Sequence, residues 1–298
     1  MKKALSILLA LSLTGMFAAC GNEATNDSAL EAAPSESQIE ETTTSETESP
    51  AAELVPFEPE FDLDAGTVTL NNGVSMPILG IGTFALSDSE AEESVYWALR
   101  DGYRLIDTAR IYGDEAGVGR GIHRAIDEGF VTREEIFVTT KMWTSDYDNG
   151  DAAINASLER LGLDYIDLMI LHHSQPENDV AAYKAMEQAV KDGRLKAIGL
   201  SNYYDPDDFD RMVNATSILP AVLQNETHPY HQSADMKEHI AQYGTVLESW
   251  FPLGGRGNTQ TLFNDPVITT IAAAHGKTSA QVILRWHLQD GHIAIPGS

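Results

Sequence analysis

Four side chains able to handle protons stand at or just beyond the ends of apolar runs. Asp107 closes "RLID", Tyr112 follows five residues on, Lys141 closes "EIFVTTK", and His172 closes "YIDLMILH". A phenol is a poor acid at neutral pH, because its pKa is ~10. An ammonium at ~4 Å, with an effective dielectric of ~20, would favour the phenolate by about 4 kcal/mol, or roughly three pKa units. Lys141 could therefore bring Tyr112 toward working pH, with Asp107 keeping the lysine charged and aimed. His172 could donate a hydrogen bond to a carbonyl oxygen. A phenolic acid beside a polarised carbonyl suits one task, protonating the oxygen while hydride reaches the carbon. Singly, each of these residues reads as structural or surface; their occurrence at successive strand ends is the signal.

Such residues converge only if the elements carrying them do. From about residue 66, short apolar runs alternate with helical patterns. Asn72-Gly73 marks a hairpin between two β-type runs. "MPILGIG" is then counted as the first of eight strands, joined by crossover helices and ending with "HIAIPGS". Strands this apolar are buried on both faces, as in a parallel sheet. Eight such units predict a closed α/β (β/α)8 TIM barrel, which gathers all strand ends on one rim. An open doubly wound sheet is the alternative and would scatter them along an edge.

The chain has 298 residues and a net charge of −26, which argues against nucleic acid as the main partner. Its single cysteine excludes an internal disulfide framework and any multi-cysteine metal cluster. Charge divides the chain into three segments. Residues 1–20 carry two lysines, no acid and a 16-residue apolar run, too short for the ~20 residues that span a bilayer. This predicts a cleaved signal peptide rather than a transmembrane helix, and "FAAC" resembles the lipobox of bacterial lipoproteins, which implies lipidation at Cys20 and anchoring on the extracytoplasmic face. Residues 21–65 hold 13 acids and no base, and are expected to be a disordered acidic linker. Residues 66–298 form the barrel.

The barrel segment resembles the aldo-keto reductase family, in particular the bacterial 2,5-diketogluconate reductases. "GYRLIDTARIYGDEAGVG" is similar to that family's first signature, and "GRLKAIGLSNY" to its second. "PAVLQNETHPY" and "SWFPLGG" resemble two cofactor-facing segments. The resemblance implies reduction of aldehydes or ketones by hydride transfer, with Asp107, Tyr112, Lys141 and His172 as a catalytic tetrad and Tyr112 as general acid. It implies cofactor contacts from Thr83, Ser201, Asn202 and Gln224, stacking by Trp250, and a pyrophosphate path along Leu253 and Gly254. Phe84, Trp143 and His173 would border the substrate. The implied cofactor is NADPH, with NAD as the alternative, because the chain stops at "IPGS" before the residues that discriminate the two. The same stop implies a barrel truncated before its final helix. Asp114 and "HHSQP" depart from the common family pattern. A monomer acting on a small carbonyl substrate, without a metal, is the resulting expectation.

Three competing readings come from the residues. "GIGTFA" fits G-x-G-x-x-A with Asp107 downstream, but no helix opens directly after it. Glu226, His228 and His231 could suggest a metal, although "HPYH" reads better as a rim loop; His172 and His173 should point to opposite faces of a strand. A lipoprotein with an acidic tether could instead be a non-catalytic binding or sensory barrel that keeps affinity for a nicotinamide cofactor.

Overall fold

The computed structural model describes residues 57–297. Gly73, with φ of +82°, turns the chain as Asn72-Gly73 predicts. Strands β2 (Thr67–Thr69) and β3 (Ser75–Pro77) pair antiparallel across it, with Val68 opposite Met76. Strand β1 (Glu60–Asp62) pairs with β2 from the other side. The boundary at 65 is therefore too late. Phe61 packs on the apolar cluster that includes Val68 and Met76, while Glu60 and Asp62 face solvent, so one aromatic ring draws this acidic stretch into the fold. The signal peptide, Cys20 and the rest of the expected linker lie outside the described residues.

Eight parallel strands follow: β4 (Gly80–Gly82), β5 (Leu105–Asp107), β6 (Phe137–Met142), β7 (Ile166–Leu171), β8 (Leu195–Ser201), β9 (Val222–Glu226), β10 (Val246–Trp250) and β11 (Ile293–Ile295). "MPILGIG" is not one strand. Its first residues end β3 at Pro77, which has no N–H to continue a ladder, and β4 starts at Gly80. The ring closes between β11 and β4. The Gly82 amide donates to the Pro296 carbonyl at 2.9 Å, and the Ala294 amide to Ile78 at 3.0 Å. The sheet is a TIM barrel, not an open sheet.

The outer layer is α1 (Asp88–Arg100), α2 (Glu115–Asp127), α3 (Gly150–Leu161), α4 (Asp179–Lys191), α5 (Pro206–Ala215) and α6 (Ala234–Ala241), then α7 (Gly255–Phe263), α8 (Pro266–His275) and α9 (Ser279–Gln289) between β10 and β11. No helix follows β11 among the described residues. Helix α1 starts five residues after "GIGT", behind a Ser87–Glu90 capping box, so the glycines there serve a strand rather than a dinucleotide loop. The glycines of α2 serve packing. A Cβ on Gly117 would fall 1.9 Å from the Asp88 carbonyl oxygen, and one on Gly119 2.2 Å from that of Leu161. Trp97 of α1 is half exposed, with the Arg100 guanidinium 4.7 Å from its ring centroid.

Strand alternation divides the core in two. Leu105, Phe137, Leu168, Ile170, Val222 and Val246 fill the barrel. Ile106, Val138, Met169, Ile198 and Leu247 face the helices. The inward set turns polar toward the C-terminal ends, at Asp107, Lys141, Ser201, Gln224 and Glu248.

Candidate active site

Asp107 ends β5, and Lys141 lies two residues beyond its register partner Thr139 on β6, on the same inward face. The Lys141 ammonium is buried, and its three donors are all used. Nζ donates to Asp107 Oδ1 at 2.6 Å, to the Thr108 carbonyl at 2.9 Å, and to the Tyr112 hydroxyl at 3.3 Å. Tyr112 reaches this point through a short 3₁₀ turn, Arg110–Tyr112, ended by left-handed Gly113. His172 follows β7, and its ring meets the Tyr112 ring edge-on at 5.8 Å between centroids. The four residues expected to act together are brought together.

The electrostatics depart from the expectation. Burial raises the Tyr112 phenol above its ordinary value, and the lowering by Lys141 does not overcome it. The reason is geometric: Asp107 offsets the ammonium at 2.6 Å and itself acts to raise the phenol. Tyr112 thus stays protonated, as a proton donor must. Burial alone would lower Lys141, but Asp107 and Tyr112 hold it above its ordinary value, so the ammonium keeps its charge. His172 is pushed down to about 2, by burial first and then by Lys141 and His173. Its imidazole is neutral at physiological pH, and its buried Nδ1 has no protein partner.

A cavity of about 400 Å³ opens at this end of the barrel, lined by Asp107, Tyr112 and His172. Ser201, Asn202, Gln224 and Trp250 line it from β8, β9 and β10 and the turn after β8. Phe84, Trp143 and His173, expected to border the substrate, line it too. His173 does not oppose His172: β7 ends at Leu171, alternation stops, and the two rings stack at 5.1 Å with planes 5° apart. The Trp143 ring stands edge-on to both. Thr83, Leu253 and Gly254 do not line the cavity. Thr83 is buried beside it, its amide donating to the Asp107 carbonyl. Leu253 packs on a separate cluster with Leu262, Ile268 and Ile283, and Gly254 caps α7.

The donor set beside Trp250 suits a flat ring bearing a carboxamide. A buried hydroxyl (Ser201) and two amides (Asn202, Gln224) stand next to an indole. Asn202 sits at φ +60°, which aims its Nδ2 at the His172 carbonyl at 2.8 Å and at Ser201 Oγ at 3.1 Å. Both donors of Gln224 Nε2 point inward, to Asp107 Oδ2 at 2.9 Å and Glu248 Oε2 at 2.8 Å.

Other functional positions escape sequence reasoning. Ile111, Phe251 and Ile295 line the cavity but carry no chemical signature. Adjacency to Tyr112 and Trp250 was the available hint for the first two. Glu248 is buried inside the barrel and reads in sequence as an ordinary strand residue. His228 and His231 bond each other's backbone across a tight loop, consistent with the reading of "HPYH" as a rim loop.

The model of the Aldo/keto reductase family matches residues 78–298. Morphine 6-dehydrogenase of Pseudomonas putida is 45% identical over 246 residues, 78% of this chain and 81% of that protein. The 9,11-endoperoxide prostaglandin H2 reductase of Trypanosoma cruzi is 41% identical over 234 residues, again 78% and 81%. Among solved structures, a Bombyx mori aldo-keto reductase in complex with NADP superposes with a TM-score of 0.72 at 35% identity, covering 78% of this chain and 83% of that one. An aldo/keto reductase from Brucella melitensis gives 0.72 at 38% identity, covering 78% and 88%.

Proposed function

Since the chain belongs to the aldo/keto reductase family, we propose that this oxidoreductase reduces small aldehydes or ketones to alcohols with NADPH, with Tyr112 as the proton donor. The observation that carries the reading is the Lys141 ammonium held between Asp107 and the Tyr112 hydroxyl at the cavity edge. The NADP complex of the Bombyx mori relative supports the choice of cofactor. Ser201, Asn202 and Gln224 would hold the carboxamide of a reduced nicotinamide and Trp250 would cover its ring, and the cofactor would supply hydride for the carbonyl carbon.

The protein's own part is proton supply and orientation. Tyr112 donates its O–H to the substrate oxygen as negative charge grows there. Lys141, already bonded to that hydroxyl, stabilises the phenolate left behind. Asp107 keeps the ammonium in place. Neutral His172 donates to the same oxygen without bringing a full charge. Phe84, Ile111, Trp143 and Phe251 at the mouth favour carbonyl compounds with an apolar or aromatic body. A sugar keto acid of the diketogluconate kind, suggested by the sequence motifs, belongs in the same substrate panel.

Replacement Tyr112→Phe should lower NADPH oxidation by about 10²–10⁴-fold with cofactor binding retained. Wild-type rates in that variant would remove Tyr112 from the mechanism. A wild-type chain that binds NADPH but oxidises it with no carbonyl in a broad panel would favour a binding barrel.

We further propose that the chain is exported and anchored through lipid on Cys20, with the barrel acting as a monomer. The motif "FAAC" after a basic start and an apolar run supports this. Metabolic labelling with a radiolabelled fatty acid should mark wild type and not Cys20→Ser; equal labelling of both would refute it.

A further inference from the structure

Along β10, Glu248 and Trp250 face the barrel interior and Ser249 faces the helices. Glu248 pairs in register with Gln224 on β9 and with Ile293 on β11. It is completely buried, yet no cation pairs with it among the described residues. Its Oε2 accepts from Gln224 Nε2 at 2.8 Å, and its Oε1 has no partner. An apolar residue would serve stability better at such a place, because desolvating an unpaired carboxyl is costly. The tetrad's chemistry does not call on it directly either.

The bonds around Gln224 give it a use. A primary amide carries two N–H donors on nitrogen and one acceptor oxygen. Gln224 spends one donor on Asp107 Oδ2 and the other on Glu248 Oε2. Its oxygen is therefore what remains for the cavity it lines. Turned over, the amide would set that oxygen against the Asp107 carboxylate and leave Asp107 Oδ2 without its donor.

We propose that Glu248 is a positioning residue for the cofactor, clamping the Gln224 amide so that its oxygen meets the amine of the nicotinamide carboxamide. It also joins Gln224, Asp107, Lys141 and Tyr112 into one hydrogen-bonded line from the barrel interior to the cavity. The proposal rests on the reductase reading above.

The charge state of Glu248 bears on the tetrad. Burial first, and Asp107 second, push its carboxyl up to about 8. The titratable or charged groups facing it are Asp107 from β5 and Lys141 from β6; Gln224 from β9 is polar, and Ile293 from β11 adds none. At neutral pH Glu248 carries its proton. As it ionises, negative charge appears behind Asp107, the Tyr112 phenol is raised further, and proton donation weakens. Carbonyl reduction should fall as pH rises through about 8.

The test uses the full chain with Glu248→Leu and Glu248→Gln. NADPH binding is read by quenching of tryptophan fluorescence, folding by melting temperature, and turnover by pH profile. Glu248→Leu should weaken NADPH binding on the order of tenfold, the worth of one misplaced hydrogen bond. Glu248→Gln keeps an acceptor for Gln224, so it should restore binding to within about twofold of wild type. It should also erase the alkaline break. Unweakened binding in Glu248→Leu, or an unmoved break in Glu248→Gln, overturns the proposal. If Glu248→Leu fails to fold, the Glu248→Gln profile decides alone. A wild-type chain that fails to bind NADPH brings down the reductase reading with it, whereas normal wild-type binding beside unmoved variants brings down this proposal only.

Discussion

Two trios of the same chemical types are built around a buried acid in this molecule: Asp107, Lys141 and Tyr112 at the mouth of the barrel, and Asp179, Arg211 and Tyr203 beneath its outer helices. In the first, the cation sits between acid and phenol, and Lys141 donates to both oxygens. In the second, the acid sits in the middle. Asp179 accepts from Arg211 at 2.9 and 2.6 Å and from the Tyr203 hydroxyl at 3.0 Å. The order decides what the phenol can do. Tyr203 already spends its O–H as a hydrogen-bond donor to a carboxylate, and burial first, then Asp179, hold it far above its ordinary value, so it keeps its proton. Tyr112 accepts a hydrogen bond, so its own O–H is free to point at whatever enters the cavity. One trio ties α4 and α5 to the turn after β8; the other is built to hand over a proton.

The sharpest way to break this comparison is to remove each cation. Lys141→Met leaves Asp107 buried with only Gln224 as a side-chain donor. It should cost about 3–5 kcal/mol of stability in urea denaturation, and lower turnover as well, because the phenolate left on Tyr112 loses its ammonium. Arg211→Met should cost less, on the order of 2 kcal/mol, because its side chain is 30% exposed. The folded fraction should keep wild-type kcat and KM. Loss of turnover per folded molecule in Arg211→Met would mean that the second trio is not merely structural.

Acid acts on the first trio next, through the His172 ring that meets Tyr112 edge-on. His172 is held at about 2 in the folded chain against an ordinary 6.5. The unfolded chain therefore takes up the proton first. The stability this contributes is full above 6.5 and is lost as pH falls toward 2. From about pH 7 to about pH 5.5, wild type should lose about 1 kcal/mol that His172→Gln does not lose. His287, held at about 4 by burial, adds in the same direction and is common to both proteins. Glu248 works oppositely: raised from 4.5 to about 8, it draws stability down as pH climbs between those values. Equal acid slopes for wild type and His172→Gln would show that His172 titrates normally.

The smallest effect comes from the second phenol. Tyr203→Phe removes one buried hydrogen bond, worth about 1 kcal/mol, or a melting temperature lower by ~2–4 °C at this size. Turnover should be unchanged, in contrast to Tyr112→Phe.

Much of the candidate site was legible because strand-end chemistry is local. Asp107, Lys141 and His172 each terminate an apolar run, and Tyr112 follows in the first such turn. The same logic missed whatever depends on facing. Glu248 has Leu247 and Ser249 as neighbours, and only the pleat, in register with Gln224, turns it inward. Tyr203, Asp179 and Arg211 come from three separated segments, and no spacing announces their meeting. Phe61 fell within the stretch expected to be a disordered linker, and only the pairing of β1 with β2 places it in the fold. Leu253 was expected along the pyrophosphate path from its motif, and its packing on the core of Leu262, Ile268 and Ile283 is something no motif shows.

Periodicity and residue type alone determined the eight-strand barrel and the identities of the proton-handling groups, because burial on both faces and turn chemistry act over a few residues. Tertiary structure alone decided how those groups behave. The field at the Tyr112 hydroxyl is a difference between burial, an ammonium and the carboxylate that offsets it. That balance depends on distances of a few ångströms between chain segments 29 and 34 residues apart, and a sequence carries no measure of them.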